Sequence, residues 1–210
     1  MTAITDIEDK VFQPGTTGWT AGDLDDPEID REWERGAYEI VEGVLATMPP
    51  AYLDSSAPLE NLIFEVKLHL RQQGLKGEFA PEVDLIIAPK RVARVDAVFL
   101  TEEQLRRQQE VNAQRPARRK LKYGRLRIPP TLIIESVSLG HESHDRETKR
   151  AWYAEFGVPH YWLLDAQKHS LECLVLSNCD YQVDVSGKNA DEMRPSAFPG
   201  LVLALGKIWV

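Results

Sequence analysis

Two carboxylates set within apolar runs constrain this chain more than any other feature. Asp96 stands in Arg94-Val-Asp-Ala-Val-Phe-Leu and Glu135 in Pro130-Thr-Leu-Ile-Ile-Glu-Ser-Val-Ser. Both runs read as strands, and a carboxylate is costly to bury there unless something pairs with it. One divalent metal would pair both. Downstream, Asp145 and Lys149 are four residues apart and share one face if their segment is helical. Such a helix can return its lysine to the strand ends, where two acids and an ammonium would form a hydrolytic centre. Taken singly, each residue also has a plain structural role. Asp96 can cap a strand end and Glu135 can pair with a basic core residue, while an exposed Asp145–Lys149 pair would contribute about 0.2–0.5 kcal/mol.

The rest of the chain frames this candidate site. With 210 residues, 43% hydrophobic and 28% charged, it suits one domain with a sizeable core. Residues 1–28 carry Pro14-Gly15, Gly18, Gly22 and Pro27 with little periodicity, and read as an acidic irregular arm of which Phe12 and Trp19 mark a docked part. Residues 29–210 are expected to form the domain. No apolar run approaches the roughly 20 residues of a membrane helix, and the acidic N-terminus lacks a signal core, so a cytoplasmic protein is expected. Cys173 and Cys179 lack partners at zinc-site spacing and read as reduced residues of a strand and a turn.

Hydrophobic periodicity gives an order of elements. Residues 38–48 read as a hairpin turning at Glu42-Gly43, and the stripe Leu59, Leu62, Ile63, Val66, Leu70 as a helix over 56–73 capped by Ser55 or Ser56 and stopped by Gly74. Strands follow at 82–88, 95–100 and 132–137, then a helix at 143–156 closed by Gly157, and a hairpin over 160–176. The expected fold is an α/β core with a central mixed sheet flanked by helices. Formal charge is −8, but it is segregated: residues 1–35 hold ten acids and three bases, whereas residues 106–127 hold nine bases and one acid. That basic insertion suits phosphate contacts through Arg115, Arg118, Arg119, Lys120 and Lys122, or else a solvated loop, or pairing with the acidic arm.

In order and spacing, the segments Tyr38-Glu-Ile-Val-Glu-Gly, Arg94-Val-Asp-Ala-Val-Phe, Pro130 to Ser138, Asp145-x-x-x-Lys149, Gly157-Val-Pro-His-Tyr-Trp-Leu-Leu-Asp165 and Pro199-Gly-Leu resemble the Uma2 family. That family is a restriction-endonuclease-like branch of the PD-(D/E)XK nucleases. The resemblance implies a Mg²⁺- or Mn²⁺-dependent endonuclease acting on DNA as a homodimer, with Asp96 and Glu135 as metal ligands and Lys149 as the catalytic lysine. The superfamily's usual lysine would stand at Val137, on the same side of the strand as Glu135. Lys149 matches members in which it has moved to the following helix. Glu39, Ser138, Asp145 and Tyr153 match family positions that support the site or the fold. Val95, Thr131 and Leu139 replace residues usual in the family, and no histidine stands near the start of the first long helix. These departures bear on turnover, so a nuclease-fold protein that binds nucleic acid or protein without cutting is the alternative, and a homo-oligomeric structural module a third. The stretch Trp152-Tyr153, Phe156, Tyr161-Trp162 adds aromatic surface for a dimer. His141 and His144 read as loop residues.

Overall fold

The computed structural model describes residues 10–49, 52–114, 121–137 and 144–209, with only the backbone described at His144 and Asp145. After a short α1 (Pro27–Glu34), the chain forms a hairpin of β1 (Tyr38–Val41) and β2 (Val44–Thr47). Its two-residue turn has φ of 50° at Glu42 and 83° at Gly43, the pair of positive angles that a tight hairpin turn requires. Helix α2 (Leu53–Gln72) leads to the long hairpin β3 (Gly77–Ala88) and β4 (Arg91–Thr101), then α3 (Glu102–Ala113). Strand β5 (Leu132–Ser136), a π-helical turn (His144–Lys149) continuing into α4 (Arg150–Phe156), and β6 (His160–Asp165) come next. Strands β7 (Ser170–Ser177), β8 (Asp180–Lys188), β9 (Glu192–Met193) and β10 (Leu203–Ala204) complete the order.

The central eight-stranded sheet runs β2-β1-β4-β5-β6-β7-β8, with β3 along the other edge of β4. Its pairings are antiparallel except β5 with β6, which the α4 crossover makes parallel. Both faces of β5 and β6 are covered, so their sequences are continuously apolar rather than alternating. Leu132, Ile134, Trp162 and Leu164 pack with Leu62, Val66 and Leu70 of α2. The alternate residues Ile133, Tyr161 and Leu163 pack with Trp152, Tyr153 and Ala154 of α4. Glu135 shares the parity of Ile133 and therefore looks toward α4.

Several expectations need correction. Helix α2 begins at Leu53, after Tyr52, and neither Ser55 nor Ser56 caps it; Ser55 Oγ instead donates to Tyr52 O (2.9 Å). Residues 106–113 of the basic insertion belong to helix α3, begun by a capping box in which Thr101 and Gln104 exchange side-chain and backbone bonds. Trp152, Tyr153, Tyr161 and Trp162 are all buried within the chain, so they supply no surface for a second copy. No correction is needed for the N-terminal region, which docks where Trp19 marks it: Trp19 and Leu24 are buried, and Trp19 N–H donates to Gly43 O (3.0 Å).

Burial also sets a pH limit. Tyr181 Oη donates to Val158 O (2.7 Å), and burial is the main cause raising its phenol well above the ordinary value. Above about pH 10 the unfolded chain releases this proton while the folded one keeps it, so stability should fall as pH rises further. Tyr181→Phe is expected to cost about 1 kcal/mol at neutral pH by removing the hydrogen bond, and to flatten the alkaline decline. Urea titrations at several pH values would check both effects.

Candidate active site

Strand β4 positions the site because its partner changes along one edge. Near its start it pairs with β1, at Val92, and from Ala97 onward it pairs with β5. Between them the ladder is open. Opposite, the Glu82–Asp96 pair drops out of the β3–β4 register, and Glu82 has φ of 47°. Val95 packs on the α4 side whereas Ala97 packs on the α2 side, so the pleat breaks its alternation at Asp96.

Backbone donors in that gap need acceptors. Arg94 N–H donates to Glu39 Oε1 of β1 (3.1 Å), and Asp96 N–H to Glu135 Oε2 of β5 (3.4 Å). In return Asp96 Oδ2 accepts from Ser136 N–H (2.7 Å). Asp96 and Glu135 are thus cross-strand neighbours whose side chains continue the ladder where the main chains part. Asp96 is partly exposed, whereas Glu39 and Glu135 are buried.

The lysine reaches this pair from the helix. Lys149 is 1% exposed, and its Nζ lies 3.1 Å from Glu39 Oε1 and 3.2 Å from Glu135 Oε1. It is the last residue of the π-helical turn, a local geometry common at functional sites. Tyr153, four residues on and therefore on the same face, donates from Oη to Glu135 Oε1 (2.5 Å). Burial first, and then the Glu135 charge, hold the Tyr153 phenol well above its ordinary pKa, so it stays a donor. Arg91 anchors the helix by reaching Glu42 in the β1–β2 turn and Glu155 in α4 (2.6 Å each).

Asp96, Glu135, Lys149, Glu39 and Tyr153 therefore meet in one cluster. Ser138, Arg115, Arg118, Arg119 and Lys120 lie outside the described residues, as does the side chain of Asp145. Lys122 is exposed, its Nζ 4.8 Å from the centre of the Tyr123 ring. Arg125, from the same basic stretch, is turned inward to Asp84 (3.2 Å) and Asp30 (2.5 Å), so part of this segment does pair with the acidic N-terminal region. Sequence reasoning missed the extent of Glu39's role as the second acceptor for Lys149. Its signal was a carboxylate beside Ile40 in a short apolar strand, with both residues buried.

The residues present suit a hard divalent cation. Glu39, Asp96, Glu135 and Lys149 carry a formal net charge of −2, and two adjacent carboxylates are enough for Mg²⁺, which keeps water and phosphate as its remaining ligands. Among the described residues no cluster of three or more His, Cys, Asp or Glu suits a metal, in keeping with Glu39 being turned to Lys149.

The family model Uma2, described as "Putative restriction endonuclease", matches residues 27–206. The chain belongs to the Uma2 family. Its fold is similar to that of a crystal structure titled a putative nuclease of the DUF820 family from Anabaena variabilis, with a TM-score of 0.62 and 14% identity over 83% of this chain and 90% of that one. At that identity the likeness concerns the fold alone. A comparison with curated proteins gives no match. Within this Uma2 chain the restriction-endonuclease-like fold is the central mixed sheet with its flanking helices.

Removing the buried cation should leave Glu39 and Glu135 without their shared partner. Lys149→Met is expected to lower unfolding free energy by about 3–5 kcal/mol, the usual cost of breaking a buried ion pair from one side. Thermal or urea denaturation would measure it, and Lys122→Met, an exposed control, should change stability by less than about 0.5 kcal/mol.

Proposed function

We propose that this Uma2 protein is a metal-dependent endonuclease hydrolysing DNA phosphodiester bonds. The observation that carries this reading is the reciprocal bonding of Asp96 and Glu135 beside the buried Lys149. Asp96 and Glu135 would hold Mg²⁺ or Mn²⁺, which when bound polarises the phosphate and acidifies a water. Asp96, partly exposed, offers its carboxylate at the mouth of the site, and Glu135 offers the oxygen turned toward β4. Lys149 orients the attacking water or stabilises charge developing on the phosphate oxygens. Glu39 and Tyr153 act through it and through Glu135, as positioning residues. Ser138 and Asp145 complete the supporting set.

Phosphate contacts are assigned to Arg115, Arg118, Arg119, Lys120 and Lys122. Binding through them should weaken as salt rises, because neutralised phosphates release counterions. No helix among the described residues is long and apolar enough to cross a membrane. The protein is proposed to act in the cytoplasm as a homodimer.

Cleavage of plasmid DNA by the purified protein should require Mg²⁺ or Mn²⁺ and stop with a chelator. Glu135→Ala should abolish both cleavage and divalent binding measured by calorimetry. Lys149→Ala should retain divalent binding while reducing cleavage by about 10²–10³-fold, the scale of one electrostatic stabiliser. Cleavage unaffected by Asp96→Ala and Glu135→Ala would overturn the site. Divalent binding lost in Glu135→Ala, with no cleavage by wild type, would keep the ion site and remove hydrolysis.

A further inference from the structure

Helix α2 buries Leu62, Val66 and Leu70 against the sheet, yet its opposite face is also apolar. Leu53 is 78%, Phe64 61% and Leu68 40% exposed. At 3.6 residues per turn, Leu53, Glu60, Phe64, Leu68 and Arg71 fall within about 80° of the helix circumference and form one outward stripe. Single exposed hydrophobics need no explanation, but a contiguous stripe along a 20-residue helix marks an interaction surface.

The order of side chains along the stripe is self-complementary. Phe64 and Leu68 lie equally far from a midpoint at Val66. Glu60 precedes that midpoint by six residues and Arg71 follows it by five. A two-fold axis through the midpoint, perpendicular to the helix, sets a second copy antiparallel, so that the stretch from Glu60 to Arg71 meets itself in reverse order while Leu53 lies outside the paired stretch. Phe64 then faces Leu68 of the other copy, and Glu60 faces Arg71 of the other copy within about one residue's rise of 1.5 Å. Both ion pairs lie on the same flank. Among the described residues neither Glu60 nor Arg71 makes an ion pair within its own chain. Lys67 sits near the axis but leans onto the Phe79 ring, its Nζ 6.0 Å from the ring centre, which keeps it from meeting its own copy.

We infer that the outward face of α2 is the docking surface for a second copy of this chain, joined as an antiparallel two-fold helix pair. The inference rests on the homodimer reading above and gives it a surface, since Trp152, Tyr153, Tyr161 and Trp162 are buried in the core. It is independent of the nuclease chemistry.

Sedimentation velocity of the full chain at micromolar concentration tests it. Wild type should sediment as a dimer and Phe64→Glu as a monomer. Glu60→Arg and Arg71→Glu should each weaken the dimer at least about tenfold by placing like charges opposite one another, and the double swap should restore it. All three substituted positions are exposed, and circular dichroism should report an unchanged fold for every variant. A monomeric wild type would overturn both the dimer reading and this surface. A wild-type dimer that is indifferent to Phe64→Glu, or a double swap as weak as the single variants, would overturn the α2 surface alone.

Discussion

The ammonium of Lys149, buried between Glu39 and Glu135, is the interaction on which the site depends. It joins three segments distant in sequence: β1, β5 and the start of α4. Two carboxylates without a shared cation would be costly in that interior, and the lysine without them more so. The bridge also orients Glu135. Lys149 and Tyr153 both address Oε1, while Oε2 is turned to the Asp96 N–H. One oxygen is thereby committed to the helix and the other to β4, so the carboxylate's plane is set before any ligand arrives. Preorganisation of this kind is what a charged transition state requires of its surroundings.

The position of the cluster follows from an interruption in the sheet. A continuous strand beside β4 would satisfy the Arg94 and Asp96 amides with carbonyls and leave no room for acidic side chains. Because β1 and β5 diverge, carboxylates take the place of carbonyls as acceptors. Asp96, at this gap, is partly exposed. The broken pleat at Asp96 and the left-handed Glu82 are local departures from regular sheet geometry at the one place where regularity would close the site.

Much of this was legible in the sequence, for identifiable reasons. The β6–β7 hairpin, β1–β2 with its Glu42-Gly43 turn, and α2 carry strong local signals, and the structure places each of them. By spacing alone Lys149 was legible as a helical residue four after Asp145, which a simple exposed ion pair fitted as well, and it was the family resemblance that assigned it to the site with Asp96 and Glu135. Its burial depends on α4 crossing from β5 to β6, a long-range consequence of a parallel pair that no local pattern encodes. Helix α3 had a signal in the Thr101-x-x-Gln104 capping box, but the charge after it was read for its partners, phosphate, solvent or the acidic arm, and not for helical periodicity. The ends of α2 show the limit of cap rules: Tyr52 begins the helix without a side-chain cap, and Pro58 is accommodated in its second turn.

Charge segregation along the chain acquires a structural meaning once Arg125 is followed. Its guanidinium bonds Asp84 and Asp30, while Arg94 and the Trp33 indole take the remaining positions on Asp84. Basic and acidic segments far apart in sequence are thus neutralised together beneath α1, and the inward part of the basic stretch is structural. Among the described bases of this stretch, those that remain solvent-facing are Arg106 and Arg107 on α3 and Lys122 after it. Helix α3 begins directly at the end of the strand that carries Asp96, about 17 Å along β4 from that carboxylate. On the proposed reading Arg106 and Arg107 therefore ride on the same strand–helix unit as Asp96, so their charge is held at a set remove from that carboxylate, while the bases assigned to phosphate contact, Arg115, Arg118, Arg119, Lys120 and Lys122, follow that helix in sequence.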